Sequence, residues 1–593
     1  MPRPRRSTAG SIALPLVAGL LLVSCGPTIP PIPTSAPTAS RPPATPIPSR
    51  GAFVPTAYPA DGDAPCGQDK APDATHGPYR GNLKRIVAKD ATTVVFELCA
   101  PDVAFLPKVA EPAFAINDAG WLRAHVDATA GGEPAIATSL NGTGPYVLER
   151  WDHGSEVSLA RNDAYWGVKA QNERLIVRWA ASSAARVSEL QTGTVDGIDG
   201  IDPAGVAAVT PDVSLALEPR PGLDVSYLGF NVSTAPFDNE GVRRAIAIGL
   251  DRQHIVDIAY PPGATVAPAF TPCAIPHGCA GGDWYAYDPA LAKETLTAAG
   301  FPDGFVTTIR YSATPRPSMP DPGSVAAEIQ TELLDNLGIQ AGLEVVPDAV
   351  YQADVAAGSF DGIQLAWAVA AFPDPTAMLD PRFGPGAPAE FGTPFADVGK
   401  ALAAGNATAS DAKRDAAYAK ANDALRGHAP MIPIASVGTT TAYRADVDGA
   451  VASPLGLERF AAMTPGDRRQ LVFLTSSEPM GLYCADETDP IAELVCSQVM
   501  EGLYGYDPAG TAPVPALASA CSPNGALTVW TCSLRHGVLF GDGSTLDAND
   551  VVLSFAVQWD AEHALHRGRT GAFATFRSSF GGFLHPPLVS PGG

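Results

Sequence analysis

Beyond its first 25 residues the 593-residue sequence has no apolar run long enough to cross a bilayer, and it is short of charge throughout. Charged residues make up 17% and apolar residues 46%, which supplies a core and gives no sign of global disorder. There is no basic patch. With 39 Lys and Arg against 62 Asp and Glu the formal charge is −23, and a surface that acidic excludes nucleic acid as a partner. No CxxC pair occurs, so no finger-type metal site is expected. The GxxxxGK[ST], HExxH and GxSxG patterns are absent too, so no enzyme, cofactor or metal centre is expected. No tandem repeat is visible. The length fits about four domains, or one large two-lobed α/β protein.

What is present begins at the N-terminus. Arg3, Arg5 and Arg6 precede a short apolar run over 12–23, the proportions of an export signal. Leu22-Val23-Ser24-Cys25-Gly26 reads as a lipobox, in which the chain is cut before Cys25 and that thiol is acylated. Residues 1–24 are thus a signal peptide, and Cys25 anchors the product to the outer face of the cell membrane by lipid. Residues 26–60 hold eleven Pro among Thr, Ser and Ala, an extended tether assigned to 25–64.

Eight cysteines remain once Cys25 is set aside, an even number in an exported chain. They allow 105 pairings. Local spacing favours Cys273–Cys279, Cys484–Cys496 and Cys521–Cys532, leaving Cys66–Cys99.

The body alternates strands with capped helices, an α/β pattern. Residues 94–98 form a strand candidate. Asp288-Pro289 opens a helix that closes at Gly300. Ser324 is expected to cap a helix carrying Val325, Ile329, Leu333 and Leu337, with Gly338 as its stop. Asp238 is expected to cap one through Leu250. Residues 538–543 read as a strand entering a turn, and Asp547 with Asp550 as a capping box. His563 and His566 are expected on one helical face, as surface histidines and not as ligands.

Several segments together carry a resemblance. They are Gly142-Thr143-Gly144-Pro145-Tyr146, Arg161 through Gly167, Leu190 through Asp196, Tyr227-Leu228-Gly229-Phe230-Asn231 with Pro236-Phe237-Asp238, and Tyr287-Asp288-Pro289 through Pro302. In this spacing the body resembles the family 5 extracellular solute-binding proteins, the peptide/nickel type that serves ABC importers. The order of segments differs from the family's. Its opening pieces stand at the C-terminal end here, as Leu471 to Leu474, Met500-Glu501-Gly502-Leu503-Tyr504, and Leu534 through Ser554. The family's usual ending, Tyr443 to Gly449, runs into them through Thr464-Pro465-Gly466-Asp467. A circular permutation accounts for this, and it puts Phe580 near Arg80.

The resemblance implies a two-lobed, type II periplasmic-binding-protein-like clamshell, permuted. One lobe with a subdomain would comprise 65–225 and 440–593, the other 226–439. A small solute, a peptide first among candidates, would be closed between the lobes and delivered by a monomer to an ABC permease and its ATPase. The competing reading is a surface receptor or adhesin lipoprotein of the same fold. Trp367 through Pro375 is similar to the family's ligand loop, but Ala371 stands where peptide binders carry the Asp that pairs with the ligand ammonium. Trp367, Phe372 and Asp374 of that loop are candidate ligand residues. So are Glu478, Met480 and Tyr483 after the first family strand, and Tyr504.

Overall fold

The computed structural model describes residues 52–587 except 68, 74, 131, 132, 358, 361, 386, 388 and 389. The signal peptide, Cys25 and most of the tether lie outside the described residues. No helix among the described residues is long and apolar enough to cross a membrane.

Three sheets organise the chain. A six-stranded sheet is built wholly from residues between Asp224 and Val437, in the order Ala264–Val266, Met431–Val437, Asp224–Phe230, Ile363–Val369, Val306–Tyr311, Gln340–Val345. Helices including Glu240–Gly249 and Pro322–Leu337 cover it, and Tyr227, Phe230, Ile246, Ile329 and Ile363 are among its buried core. A seven-stranded sheet runs Leu215–Arg220, Thr439–Arg444, Gly197–Ile198, Gln470–Thr475, Arg174–Trp179, Glu156–Arg161, Tyr146–Asp152. A five-stranded sheet runs Ala57–Tyr58, Leu83–Asp90, Thr93–Leu98, Val529–Leu534, Ala518–Pro523.

The C-terminal segment therefore completes sheets begun early in the chain. Gln470–Thr475 is inserted parallel between Arg174–Trp179 and Gly197–Ile198, with Phe473 opposite both Val177 and Gly197. Leu471, Phe473 and Leu474 are fully buried, as a strand covered on both faces requires. Val529–Leu534 pairs antiparallel with Thr93–Leu98. The helix Ala548–Trp559 packs on Leu83–Asp90, and Trp559 Nε1 donates to Tyr79 Oη at 2.9 Å. The closing helix Ala574–Phe580 ends where Asn82 N donates to Phe580 O at 2.7 Å, two residues from Arg80.

Two connections cross between the six- and seven-stranded sheets. Leu215–Arg220 leads through 221–223 into Asp224–Phe230, and Met431–Val437 leads through Gly438 into Thr439–Arg444. The crossing chains pair antiparallel on both sides, Arg220 with Thr439 and Ser226 with Ala435. They run so close that a Cβ on Gly438 would meet Arg220 O at 2.5 Å, and one on Gly222 would meet Val437 O at 2.7 Å. Glycine is required at both for that reason.

All four disulfides form: the three pairings that local spacing favoured, and Cys66–Cys99, the pair left over. The capping box at Asp547 and Asp550 is present, and Gly338 closes its helix at φ +68°. Four local expectations change. Asp321, not Ser324, caps the helix Pro322–Leu337, because Asp321-Pro322 places an acceptor directly before a proline in the first turn. Asn239, not Asp238, caps Glu240–Gly249. Residues 538–543 form no strand; a single bridge joins Leu539 to Thr545 around a tight turn. His563 and His566 share no helical face, because the helix stops at Trp559 and both lie in the turns beyond it.

Candidate functional site

The strand Ile363–Val369 leaves the six-stranded sheet into a loop and then the helix Thr376–Phe383. Trp367 stays half-buried on the strand. Tyr351 stacks on it at 6.0 Å, and the Arg316 guanidinium lies 3.9 Å from its ring centre. Phe372 is buried in the loop. Lys108 Nζ, from the helix Phe105–Val109 packed on the five-stranded sheet, lies 4.9 Å from its ring centre. That cation–π contact joins the two halves of the molecule. Lys108 is itself paired with the buried Asp102 at 2.7 Å. A second junction runs from Thr511 Oγ1 to the carbonyl of Ala274, inside the Cys273–Cys279 loop.

Asp374 is committed within its own lobe. Arg414 Nη2 donates to its two oxygens at 2.9 and 2.8 Å, and Thr376 donates from its backbone N and its hydroxyl. These bonds shape the loop that presents Phe372. Asp380, on the following helix, accepts from Asn406 at 2.7 Å. Burial, with Asp374 and Asp102 nearby, raises its carboxyl to about 6 against the pull of Asn406 and Lys108.

The expected residues of the C-terminal segment are dispersed. Glu478 accepts from Trp151 Nε1 at 2.9 Å, from Gly154 N at 3.1 Å and from His153, so it clips the hairpin of Tyr146–Asp152 and Glu156–Arg161. Met480 is 61% exposed. Tyr483 is buried in the core of the five-stranded sheet, edge-on to Phe573 at 6.2 Å. Tyr504 is buried, accepts from Cys521 N at 3.1 Å, and lines a cavity of about 130 Å³ with Pro112, Tyr165, Arg459, Gln498 and Glu501. Glu501 is satisfied there by Thr143, Tyr165 and Trp166, each at 2.8 Å. The structure thus groups Trp367, Phe372 and Asp374 on one loop and its strand, and separates the other four.

Sequence reasoning missed two acids on the opposite side. Glu111 follows the helix of Lys108 and accepts from the Tyr506 hydroxyl. Burial raises its carboxyl to about 8 against that hydrogen bond, and Glu493 adds to the rise. Glu493, on the helix Pro490–Val499, is raised to about 7 by burial and then by Asp489. Both carboxyls resist ionisation chiefly because they are buried, and a cation reaching them would favour their charged forms. No sequence motif marks them, since they come together from positions almost four hundred residues apart in the chain.

The family described as bacterial extracellular solute-binding proteins, family 5 Middle, matches residues 56–389. The dipeptide-binding protein of Escherichia coli K12 is 26% identical over 386 residues, 64% of this chain and 71% of that protein. The heme-binding protein A of Haemophilus influenzae is 27% identical over 400 residues, covering 64% of this chain and 69% of its own. Among solved structures, HbpA2 from Haemophilus parasuis aligns with a TM-score of 0.60 at 26% identity, over 65% of this chain and 76% of that one.

Proposed function

This chain belongs to the bacterial extracellular solute-binding proteins of family 5, and from that premise we propose that it captures a peptide between its two lobes and hands it to an ABC permease, doing no chemistry of its own. The carrying observation is the pair of antiparallel crossings at 220–224 and 437–439. Two adjacent strands joining two sheets form a hinge that lets the lobes close over a ligand. Lobe I then comprises 65–225 and 440–587, with Ala57–Tyr58 paired onto its five-stranded sheet, and lobe II 226–439. The dipeptide-binding relative supports peptide as the solute class.

Trp367 and Phe372 wall the ligand from lobe II. Glu111 and Glu493 of lobe I take the ammonium in place of the carboxylate that Ala371 lacks. An ammonium between them offsets its own desolvation by ionising both acids. The chain is a circular permutant, exported and lipid-anchored at Cys25. The insertion of Gln470–Thr475 into the middle of a sheet and the meeting of Phe580 with Asn82 support the permutation. Ends that lie together and exposed let such a rotation keep the buried contacts.

Thermal unfolding of the full chain against di- to pentapeptides, N-acetylated peptides and sugars tests the reading. A peptide at a hundred times its Kd adds about 2.7 kcal/mol of stability. Free peptides are expected to raise Tm, N-acetylated ones not, and E111Q to abolish the difference. If no peptide moves Tm, the solute assignment fails. If N-acetylation makes no difference, the role of Glu111 and Glu493 fails. A rotated chain, 466–587 followed by 52–465, is expected to fold and bind as the natural order does; a rotated chain that stays unfolded counts against the permutation.

A further inference from the structure

Glu332 stands on the helix Pro322–Leu337 in lobe II and is 6% exposed. One of its carboxylate oxygens, Oε2, accepts from the backbone N of Asp251 at 2.6 Å. The other, Oε1, is buried and has no hydrogen-bond partner. Burial first, and then the neighbouring carboxylates of Asp251 and Glu328, disfavour its charged form. A buried carboxylate with an unused lone pair is costly unless something positive reaches it.

What stands beside that carboxyl is a set of potential ligands. Glu328 lies one turn earlier on the same helix face. The helix Arg252–Ala259 packs alongside and brings His254, whose Nε2 lies 3.4 Å from Glu328 Oε1. One ligand atom from each of His254, Glu328 and Glu332 falls within 4.8 Å of the others. An ion pair between His254 and Glu328 would account for two of these groups and leave Glu332 Oε1 unexplained.

We propose that His254, Glu328 and Glu332 form a three-ligand site for Zn²⁺, with water in the fourth position. Ligands about 2.0–2.1 Å from a tetrahedral zinc sit roughly 3.3 Å apart, close to the separation found for the His254–Glu328 pair, so these two are already spaced as neighbours on the ion. The imidazole selects zinc over calcium and magnesium, which take oxygen donors. His254 is exposed and provides the way in, while the buried Glu332 supplies the electrostatic demand. The bound ion would tie the helix Arg252–Ala259, which packs on the crossover strand Met431–Val437, to Pro322–Leu337. The site owes nothing to the solute assignment and uses none of the residues discussed between the lobes.

The full chain, stripped with EDTA and dialysed into ZnCl2 at pH 7.5, tests this by zinc counted per chain with mass spectrometry and by titration calorimetry. Wild type is expected to hold one equivalent more than either H254A or E332Q, and calcium in tenfold excess is expected not to displace it. H254A alters an exposed side chain, so its metal-free melting curve is expected to match wild type and to guard against loss of zinc through misfolding. Equal zinc counts in wild type and both variants would overturn the site. So would displacement by calcium, or wild type that binds no zinc.

Discussion

Replacing Arg220 by Met asks whether the crossing between the sheets is clamped by a buried charge. Arg220 ends the strand Leu215–Arg220. Its Nη1 donates to Asp199 Oδ1 at 3.1 Å and to Thr439 Oγ1 at 3.0 Å, so it grips the first residue of the returning strand as well. Its Nη2 donates to Oε1 of Glu458, which is fully buried and whose Oε2 has no hydrogen-bond partner. Burial pushes the Glu458 carboxyl up and Arg220 holds it down. Without Arg220 a carboxylate is left in the core with no counter-charge, and removing one partner of such a pair costs about 3–5 kcal/mol. The penalty is largest where Glu458 must be charged. It therefore shrinks as pH falls and Glu458 takes a proton. Urea unfolding of the full chain at pH 7.5 and pH 5, followed by tryptophan fluorescence, reads both effects. R220M is expected to lose that much at pH 7.5 and less at pH 5. R220M/E458M, which replaces the pair by apolar groups of similar volume, is expected to recover most of the loss. An R220M within about 1 kcal/mol of wild type at pH 7.5, or a double variant no more stable than the single, would refute the reasoning.

Three further expectations use the same assay. Asp486 accepts from the backbone N of Thr570, Gly571 and Phe573 at 2.6, 2.8 and 3.0 Å, so D486N should cost about 2–3 kcal/mol and open the chain beyond 570 to protease; an unchanged cleavage pattern would show that this clasp is not what holds the end. Asp224 at the crossing accepts from Val437 N at 2.9 Å, and burial raises its carboxyl to about 6. Its contribution is full below about pH 4 and is lost as pH rises through 6, so wild type should lose about 2–3 kcal/mol relative to D224N between pH 4 and 7, and parallel curves would contradict this. C484A/C496A opens a bridge between residues 12 apart and should cost about 3 kcal/mol, whereas a midpoint unchanged from wild type would count against that bridge as a constraint.

The parts of the fold legible in the sequence are those fixed by neighbours along the chain. The Asp547–Asp550 capping box, the Gly338 stop and the strand at 93–98 are local, and so are the three short disulfides. The caps moved by three residues, from Ser324 to Asp321, and by one, from Asp238 to Asn239, because the acceptor that serves the first turn is fixed by where the helix begins. The candidate site was legible only in part. The loop after Trp367 was recognisable, but whether Asp374 was free depended on Arg414, forty residues on. Glu478, an exposed acid by its surroundings in sequence, is taken up by the hairpin at 151–154.

The sequence alone determined an α/β body, three disulfides between near neighbours and a resemblance to a solute-binding family, because propensity, spacing and motif are carried by residues close together in the chain. Only the tertiary structure decided which charges are satisfied. It set Gln470–Thr475 between strands almost three hundred residues earlier, closed Arg220 on Glu458, laid Lys108 against Phe372, and grouped Glu332 with His254 and Glu328. Burial and partnership are properties of folded space, and the cost of a charge is set there.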